Sequence, residues 1–416
     1  MTLGPQAYAR LDQALTEVDA QLLRDYPGES GTRQPVHTVY VPADRFSVDL
    51  PRDWSAQALA GLAEHLPDPA ALAGVLGVTE PVAAEVLPRL RAKLAAAPIE
   101  DLRIDFEDGY GARPDAEEDA AAERAGAELA TLALPFGGLR CKSLEPATRH
   151  RGVRTLDLFL GALLADRTDG RGLPAGFTVT LPKVTHASQV AAFVELCAEL
   201  ERVHSLPAGQ LRFELQIETP QAILAADGTA GVAGLLRAGA GRVTGLHYGT
   251  YDYSAACGVA APYQSLAHPV ADHAKAVMQV AAAGTGVRLS DGSTNMLPVG
   301  PPDAVLAAWR LHAGLVRRSL ERGYYQGWDL HPGQLVTRYG ANYAFYREGM
   351  PAACDRLRDY LANAGTGVLD EPATAQAMAS LLVRGLHCGA LDADEVSERS
   401  GVPIPVLDEL FRRRVG

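Results

Sequence analysis

Lysine is nearly absent from this chain. Of 38 basic residues only Lys93, Lys142, Lys183 and Lys275 are lysine, and the rest are arginine. With so much Ala and Gly, the plain reading is a GC-rich coding bias. Cysteine is scarce too. The five at 141, 197, 257, 354 and 388 form no CxxC pair and are odd in number. That excludes a disulfide framework and a structural zinc site. No run reaches the ~18 apolar residues of a membrane span, and the opening MTLGPQAYARLDQALTEVDAQ has no apolar signal core. Basic residues are nowhere concentrated, and the net charge is −12. This argues against nucleic-acid and anionic-membrane partners. The expectation is a soluble protein of a reducing compartment, the cytoplasm. A P-loop, a dinucleotide fingerprint and a nucleophile elbow are all missing. The nearest approach, Gly239-Ala-Gly241, has Thr244 where the third glycine is needed and leads into a strand.

What is present is an ordinary globular composition, 47% hydrophobic and 21% charged over 416 residues. Residues 1–30 read as a polar helix. Residues 55–97 read as Ala/Leu-rich helix broken by Pro67, Pro69 and Pro81. Strand-like runs fall at 37–42, 102–106, 139–143, 177–182, 211–217, 243–248, 286–290 and 327–331, each leading to a helical stretch. Eight repeated βα units predict a (β/α)8 TIM barrel with helical N-terminal additions. Residues 350–416 have no strand signal and predict a helical extension, dividing the chain into 1–349 and 350–416. The helix–Gly401–helix rhythm there reads as a cap rather than a DNA-binding element, because no basic helix faces a groove.

The strands alternate in a way that matters. In 211–218, Leu211, Phe213, Leu215 and Ile217 alternate with Arg212, Glu214, Gln216 and Glu218; in 102–107, Leu102, Ile104 and Phe106 alternate with Arg103, Asp105 and Glu107. Buried parallel strands are usually apolar on both faces. A barrel must turn the charged face inward, so the interior is predicted to hold Arg–carboxylate pairs below a polar mouth.

Catalytic groups of such barrels sit at the strands' C-terminal ends. There the chain places Glu107, Asp108, Arg140, Lys142, Lys183, Glu218, Asp252, Asp291 and His331. An oxygen-rich set with a few cations suits a hard divalent ion and an anionic substrate. Glu218 and Asp252, from adjacent strand ends, are the candidate ligands for one Mg2+ (or Mn2+). The bland alternatives are an ion pair of Glu218 with Arg212 and a turn role for Asp252. Arg140 suits bidentate grip of a carboxylate, or else neutralises Glu107 or Asp105. Lys142 and Lys183 are candidate point charges for substrate, and a buried lysine is also a candidate Schiff-base nucleophile. Glu107 and Asp108 lie nearest the mouth. Tyr248 is a weaker substrate-binding candidate, and His331 is read as orienting a loop.

Taken in order, these motifs resemble the citrate lyase β-subunit-like branch of the HpcH/HpaI aldolase superfamily. The resemblance rests on IDFEDGYG, LRCKSLEP, TLPKV, LQIETPQAIL, GTYDYSAACG, VRLSDG and GWDLHPGQL, spread over about residues 37–340. It implies a Mg2+- or Mn2+-dependent carbon–carbon lyase or aldolase. The substrate would be a 2-oxo or 2-hydroxy carboxylic acid or its CoA thioester, cleaved through a metal-stabilised enolate. Glu218 and Asp252 would be metal ligands, Arg140 would bind substrate oxygen, and Glu107 and Asp108 would orient water or substrate. It also implies a homo-oligomer. Two other readings stand beside it: a Schiff-base aldolase using Lys183 or Lys142, and a barrel that binds ligand without turnover.

Overall fold

A computed structural model describes residues 3–165, 172–362 and 372–412. Its centre is a parallel sheet of eight strands: β1 (His37–Pro42), β2 (Asp101–Asp105), β3 (Phe136–Arg140), β4 (Phe177–Leu181), β5 (Phe213–Ile217), β6 (Val243–Tyr248), β7 (Arg288–Ser290) and β8 (Gly327–Asp329). The order is β7-β6-β5-β4-β3-β2-β1-β8. The Asp291 N–H donates to the Gln326 carbonyl at 2.8 Å and the Trp328 N–H to Gly292 at 3.3 Å, linking the two ends of the sheet. The fold is therefore the eightfold (β/α) barrel that the alternation predicts.

The alternation also fixes which face meets the helices. Phe213, Leu215 and Ile217 are fully buried in the outer layer, where Phe213 stacks edge-on against Phe193 of helix Ala187–Val203 at 4.9 Å. The opposite face of the same strand fills the interior. Arg103 donates to Glu214 at 3.0 and 3.1 Å and pairs with Asp101, while Arg140 grips Asp105 through two 2.7 Å bonds. Each of these buried charges meets an opposite one, which is what makes their burial tolerable.

Most strands have a boundary shifted by a few residues from the sequence reading, and two of these shifts bear on the site. β3 starts three residues earlier than 139–143 because it contains Gly137 and Gly138, which carry no hydrophobic signal. Gly138 is obligatory: a Cβ there would lie 1.8 Å from the Thr178 carbonyl oxygen of β4. β8 stops at Asp329, and His331 instead caps helix Pro332–Leu361, accepting the Gly333 N–H at 3.1 Å.

Helix Pro5–Asp25 buries none of its residues. Helices Leu50–His65, Pro69–Leu76 and Glu80–Ala96 fill the connection between β1 and β2. Helix Pro332–Leu361 runs straight across positions 349 and 350. Leu382, Leu407 and Phe411 of the C-terminal helices share one hydrophobic core with the barrel helices. No single helix of the described residues is long and apolar enough to cross a membrane.

Candidate active site

At the C-terminal mouth, the loop after β2 is built on Asp105. Its carboxylate accepts the N–H groups of Glu107 (2.9 Å) and Gly109 (3.0 Å) while it holds Arg140. A Cβ on Gly109 would lie 2.5 Å from Asp105 Oδ2, so only glycine allows the loop to close this tightly. Burial would raise the Asp105 pKa, but the Arg140 guanidinium outweighs it and holds the carboxyl below its usual range. Arg140 is in turn sandwiched near the rings of Tyr40 and Trp328, 5.0 and 6.0 Å from its centre. Its Nη1 donates to Gln216 at 3.1 Å and lies 3.4 Å from Glu107 Oε2. The guanidinium is thus a fixed cation at the floor of the mouth.

Above it lies Lys183. Its ammonium contacts Asp108 at 2.7 Å, Glu107 at 2.9 Å and Asp252 at 3.2 Å. Lys183 is one of three non-glycine residues with a left-handed backbone among those described, at φ 51°. Such strain costs on the order of 1–3 kcal/mol and persists only where its surroundings demand it. Here the strained residue serves four carboxyl groups at once, three through its ammonium and the fourth because its own N–H donates to Glu218 Oε1 at 2.7 Å. Burial works against the charge on Lys183, but the Asp108 and Glu107 carboxylates outweigh it and raise its pKa above the ordinary lysine value.

Glu218 is the most perturbed carboxyl of the group. It is 2% exposed. Burial first, then the neighbouring charges of Glu107 and Asp252, push its pKa up to about 8, against the pull of Arg140 and Lys183. Gln216 donates its amide to Glu218 Oε2. Thr219 anchors the strand end by donating to the Val184 carbonyl at 2.6 Å. A Cβ on Gly249 would lie 2.4 Å from Glu218 Cβ and 2.7 Å from Oε2. Glycine at 249 therefore keeps the space beside this carboxylate open.

The structure thus brings together Glu107, Asp108, Arg140, Lys183, Glu218 and Asp252. It leaves four of the sequence candidates elsewhere. Lys142 does not face the mouth: its ammonium is buried between Glu118 (2.9 Å) and the carbonyls of Phe106 (2.6 Å) and Gly111 (3.1 Å). The strand ends two residues before it, so strand parity no longer governs its direction. Tyr248 is also corrected. Register pairs it with Ile217, on the outward face, where its ring packs on Tyr253 at 5.7 Å, near the Lys275 ammonium. His331 is a helix cap, accepting the Gly333 N–H. Asp291 pairs with Lys275 at 2.9 Å and is structural. Arg212 has no contact with Glu218.

Sequence reasoning missed Gln216, Tyr40 and Trp328, which brace Glu218 and Arg140. Gln216 was legible by parity, since it lies two residues before Glu218 on the charged face. Trp328 was not, because its role depends on β8 closing the barrel beside β1.

The carboxylates surround an ammonium rather than each other, and among the described residues no three metal-binding side chains are closed up into a ready set. The donor chemistry nevertheless fits a hard divalent ion. Four carboxyl groups converge on one lysine, burial and the charges of Glu107 and Asp252 raise the Glu218 pKa, and Gly249 keeps room beside it.

Among solved structures, the chain is similar to a citrate lyase from Burkholderia xenovorans LB400, at 18% identity and a TM-score of 0.57 over 89% of this chain and 97% of that one. A malate synthase from Haloferax volcanii, solved as a lead(II) complex, aligns at 18% identity and TM-score 0.47 over 79% and 94%. An HpcH/HpaI aldolase/citrate lyase family protein from Burkholderia cenocepacia J2315 aligns at 15% and 0.40 over 77% and 95%. No curated protein matches. The fold-level likeness to a citrate lyase agrees with the resemblance read from the strand-end motifs. Over residues 15–415 the sequence matches a family described as a domain of unknown function, DUF6986, and the chain belongs to that family.

Proposed function

We propose that this protein is a divalent-metal-dependent carbon–carbon lyase or aldolase. Its substrate class is a 2-oxo or 2-hydroxy carboxylic acid or the CoA thioester of one. The observation that carries this reading is the convergence of Glu107, Asp108, Glu218 and Asp252 on Lys183 at one mouth. The likeness in fold to a citrate lyase supports it.

Glu218 and Asp252 would hold Mg2+ or Mn2+, which when bound acts as a Lewis acid on the substrate carbonyl. The chain's own groups supply the rest. Arg140, held rigid by Asp105, Tyr40 and Trp328, places a permanent positive charge under the oxygen on which negative charge grows. Lys183 balances the carboxylates and can turn toward a substrate carboxylate. Glu107 is raised by burial and by the adjacent Asp108, which suits it to take and return a proton at its carboxylate.

The Schiff-base alternative needs a neutral amine at Lys183. The three surrounding carboxylates instead hold it as an ammonium, which weakens that reading. The deciding experiment is a Mn2+ titration followed by electron paramagnetic resonance, with cleavage assays on a panel of 2-oxo and 2-hydroxy acids and their CoA thioesters. Saturable Mn2+ binding that is lost in Glu218→Gln, with cleavage abolished by EDTA, is the expected result. Cleavage that survives EDTA and leaves a borohydride-trapped adduct on Lys183 overturns it.

A further inference from the structure

A cavity of about 1160 Å3 opens at the N-terminal ends of the strands, the opposite end of the barrel from Glu218. It runs up the lumen as far as Arg103, Glu214 and His247, and the segment after helix Pro5–Asp25 forms part of its wall. Gly245, which has no side chain to project inward, is among the lining residues and pairs in register with Glu214. Barrel interiors of this class are normally filled by side chains.

The charge of this cavity is unusual for so acidic a chain. Five arginines line it, at 24, 103, 212, 237 and 288. Its deep carboxylates are already engaged: Asp101 and Glu214 by Arg103, with Thr38 on Asp101 and with Thr180 and His247 on Glu214. At the rim, Glu29 lies 3.5 Å from Arg384 and Asp25 accepts from Gln21. Arg212, Arg237 and Arg288 have no carboxylate partner among the described residues.

Arg288 is the telling one. It is half-buried, and among the described residues its guanidinium meets the Thr32 hydroxyl at 2.7 Å and the face of Phe136 at 5.6 Å, while Asp101, Glu29 and Glu214 act on it from beyond ion-pair distance. Burial lowers its pKa. The other guanidiniums of the barrel interior and wall, those of Arg103, Arg140, Arg242 and Arg338, each hold a carboxylate. A guanidinium withdrawn from water without a counter-ion is costly. Its fork of donors matches a carboxylate or phosphoryl group.

We propose that this cavity is a second ligand site, separate from the carboxylate-rich mouth. It would take a small, multiply charged oxyanion bearing phosphoryl or carboxylate groups. Arg288 and Arg212 grip the anion, and Arg237 stands at the rim. The volume of about 1160 Å3 lies above the roughly 300–1000 Å3 of small-molecule pockets, so the ligand can be larger than a bare anion.

The test is calorimetric titration of the full chain in EDTA with pyrophosphate, with citrate and with neutral glycerol. At least one anion should saturate a single site below ~10 mM, while glycerol does not. Pyrophosphate alone marks a phosphoryl ligand, and citrate alone a carboxylate. Arg288→Gln and Arg212→Gln should each weaken binding about tenfold or more, Arg288→Lys less, and Glu218→Gln not at all. Arg212 is exposed, so its variant carries the test if Arg288→Gln does not fold. The proposal is overturned if neither anion saturates, if Arg212→Gln binds as tightly as wild type, or if Glu218→Gln removes the binding. None of these outcomes depends on a metal at the other mouth.

Discussion

The two ends of this barrel solve opposite electrostatic problems. At the C-terminal mouth, four carboxyl groups face one lysine and a guanidinium already committed to Asp105, and Glu218 answers by keeping its proton. At the N-terminal end, arginines outnumber the carboxylates left free to meet them, and Arg288 rests on a hydroxyl and an aromatic face. Between them the buried pairs Arg103–Glu214 and Arg140–Asp105 are balanced. Each guanidinium between the openings already holds a carboxylate, whereas at the two openings a ligand can supply the missing charge. Under the two proposals, uncompensated charge marks where a ligand binds.

The sharpest way to break this contrast is at Glu218. Under the proposed function, Glu218→Gln should lower cleavage by about a hundredfold or more through loss of the metal, read as kcat/KM with and without added Mg2+. A variant with wild-type kcat/KM would move the chemistry elsewhere. Next is Gly138→Ala. The added methyl collides with the Thr178 carbonyl, so denaturant unfolding should show a loss of about 3 kcal/mol or more.

The two strand-end lysines sharpen the contrast between mouth and wall. Lys183→Met should destabilise the metal-free protein by about 2–4 kcal/mol at neutral pH. Added Mg2+ should then raise its Tm by more than it raises that of wild type. Lys142→Met should also cost stability, because buried Glu118 loses its nearer cation and keeps Arg151 at 3.4 Å, but with no such recovery on adding Mg2+. Equal responses in the two variants would erase the distinction.

The smallest effect is a pH dependence. The Glu218 pKa is raised from 4.5 to about 8. Its protonated form therefore contributes stability that is complete below the ordinary glutamate pKa and is lost as pH rises through about 8. Glu218→Gln cannot ionise and should lose less stability between about pH 5 and about pH 8.5, by on the order of 2 kcal/mol in EDTA. Parallel curves for wild type and variant would show that Glu218 ionises freely.

Much of this was readable in the residues. Polar–apolar alternation in 211–218 and 102–107 specified a charged interior, since a barrel strand with one apolar face has only one way to turn it. Glu218, Glu107 and Arg140 followed by parity. Parity failed just past the strand ends. Lys142 lies two residues beyond Arg140, where the chain has left the sheet and its ammonium finds Glu118 on helix Asp115–Thr131. Tyr248 failed for another reason: β6 alternates His247 inward and Tyr248 outward, and only the pairing of Gln216 with His247 reveals which is which.

The sequence alone determined the eight-unit barrel, the polarity of its interior and the identity of the mouth carboxylates, because these follow from local periodicity and residue chemistry. Only the tertiary structure decided that Lys183 bridges three carboxylates from two separate segments, that Trp328 and Tyr40 brace Arg140, and that the far end of the lumen is open. Those facts depend on contacts between residues far apart in the chain, and on glycines whose meaning lies in what packs against them.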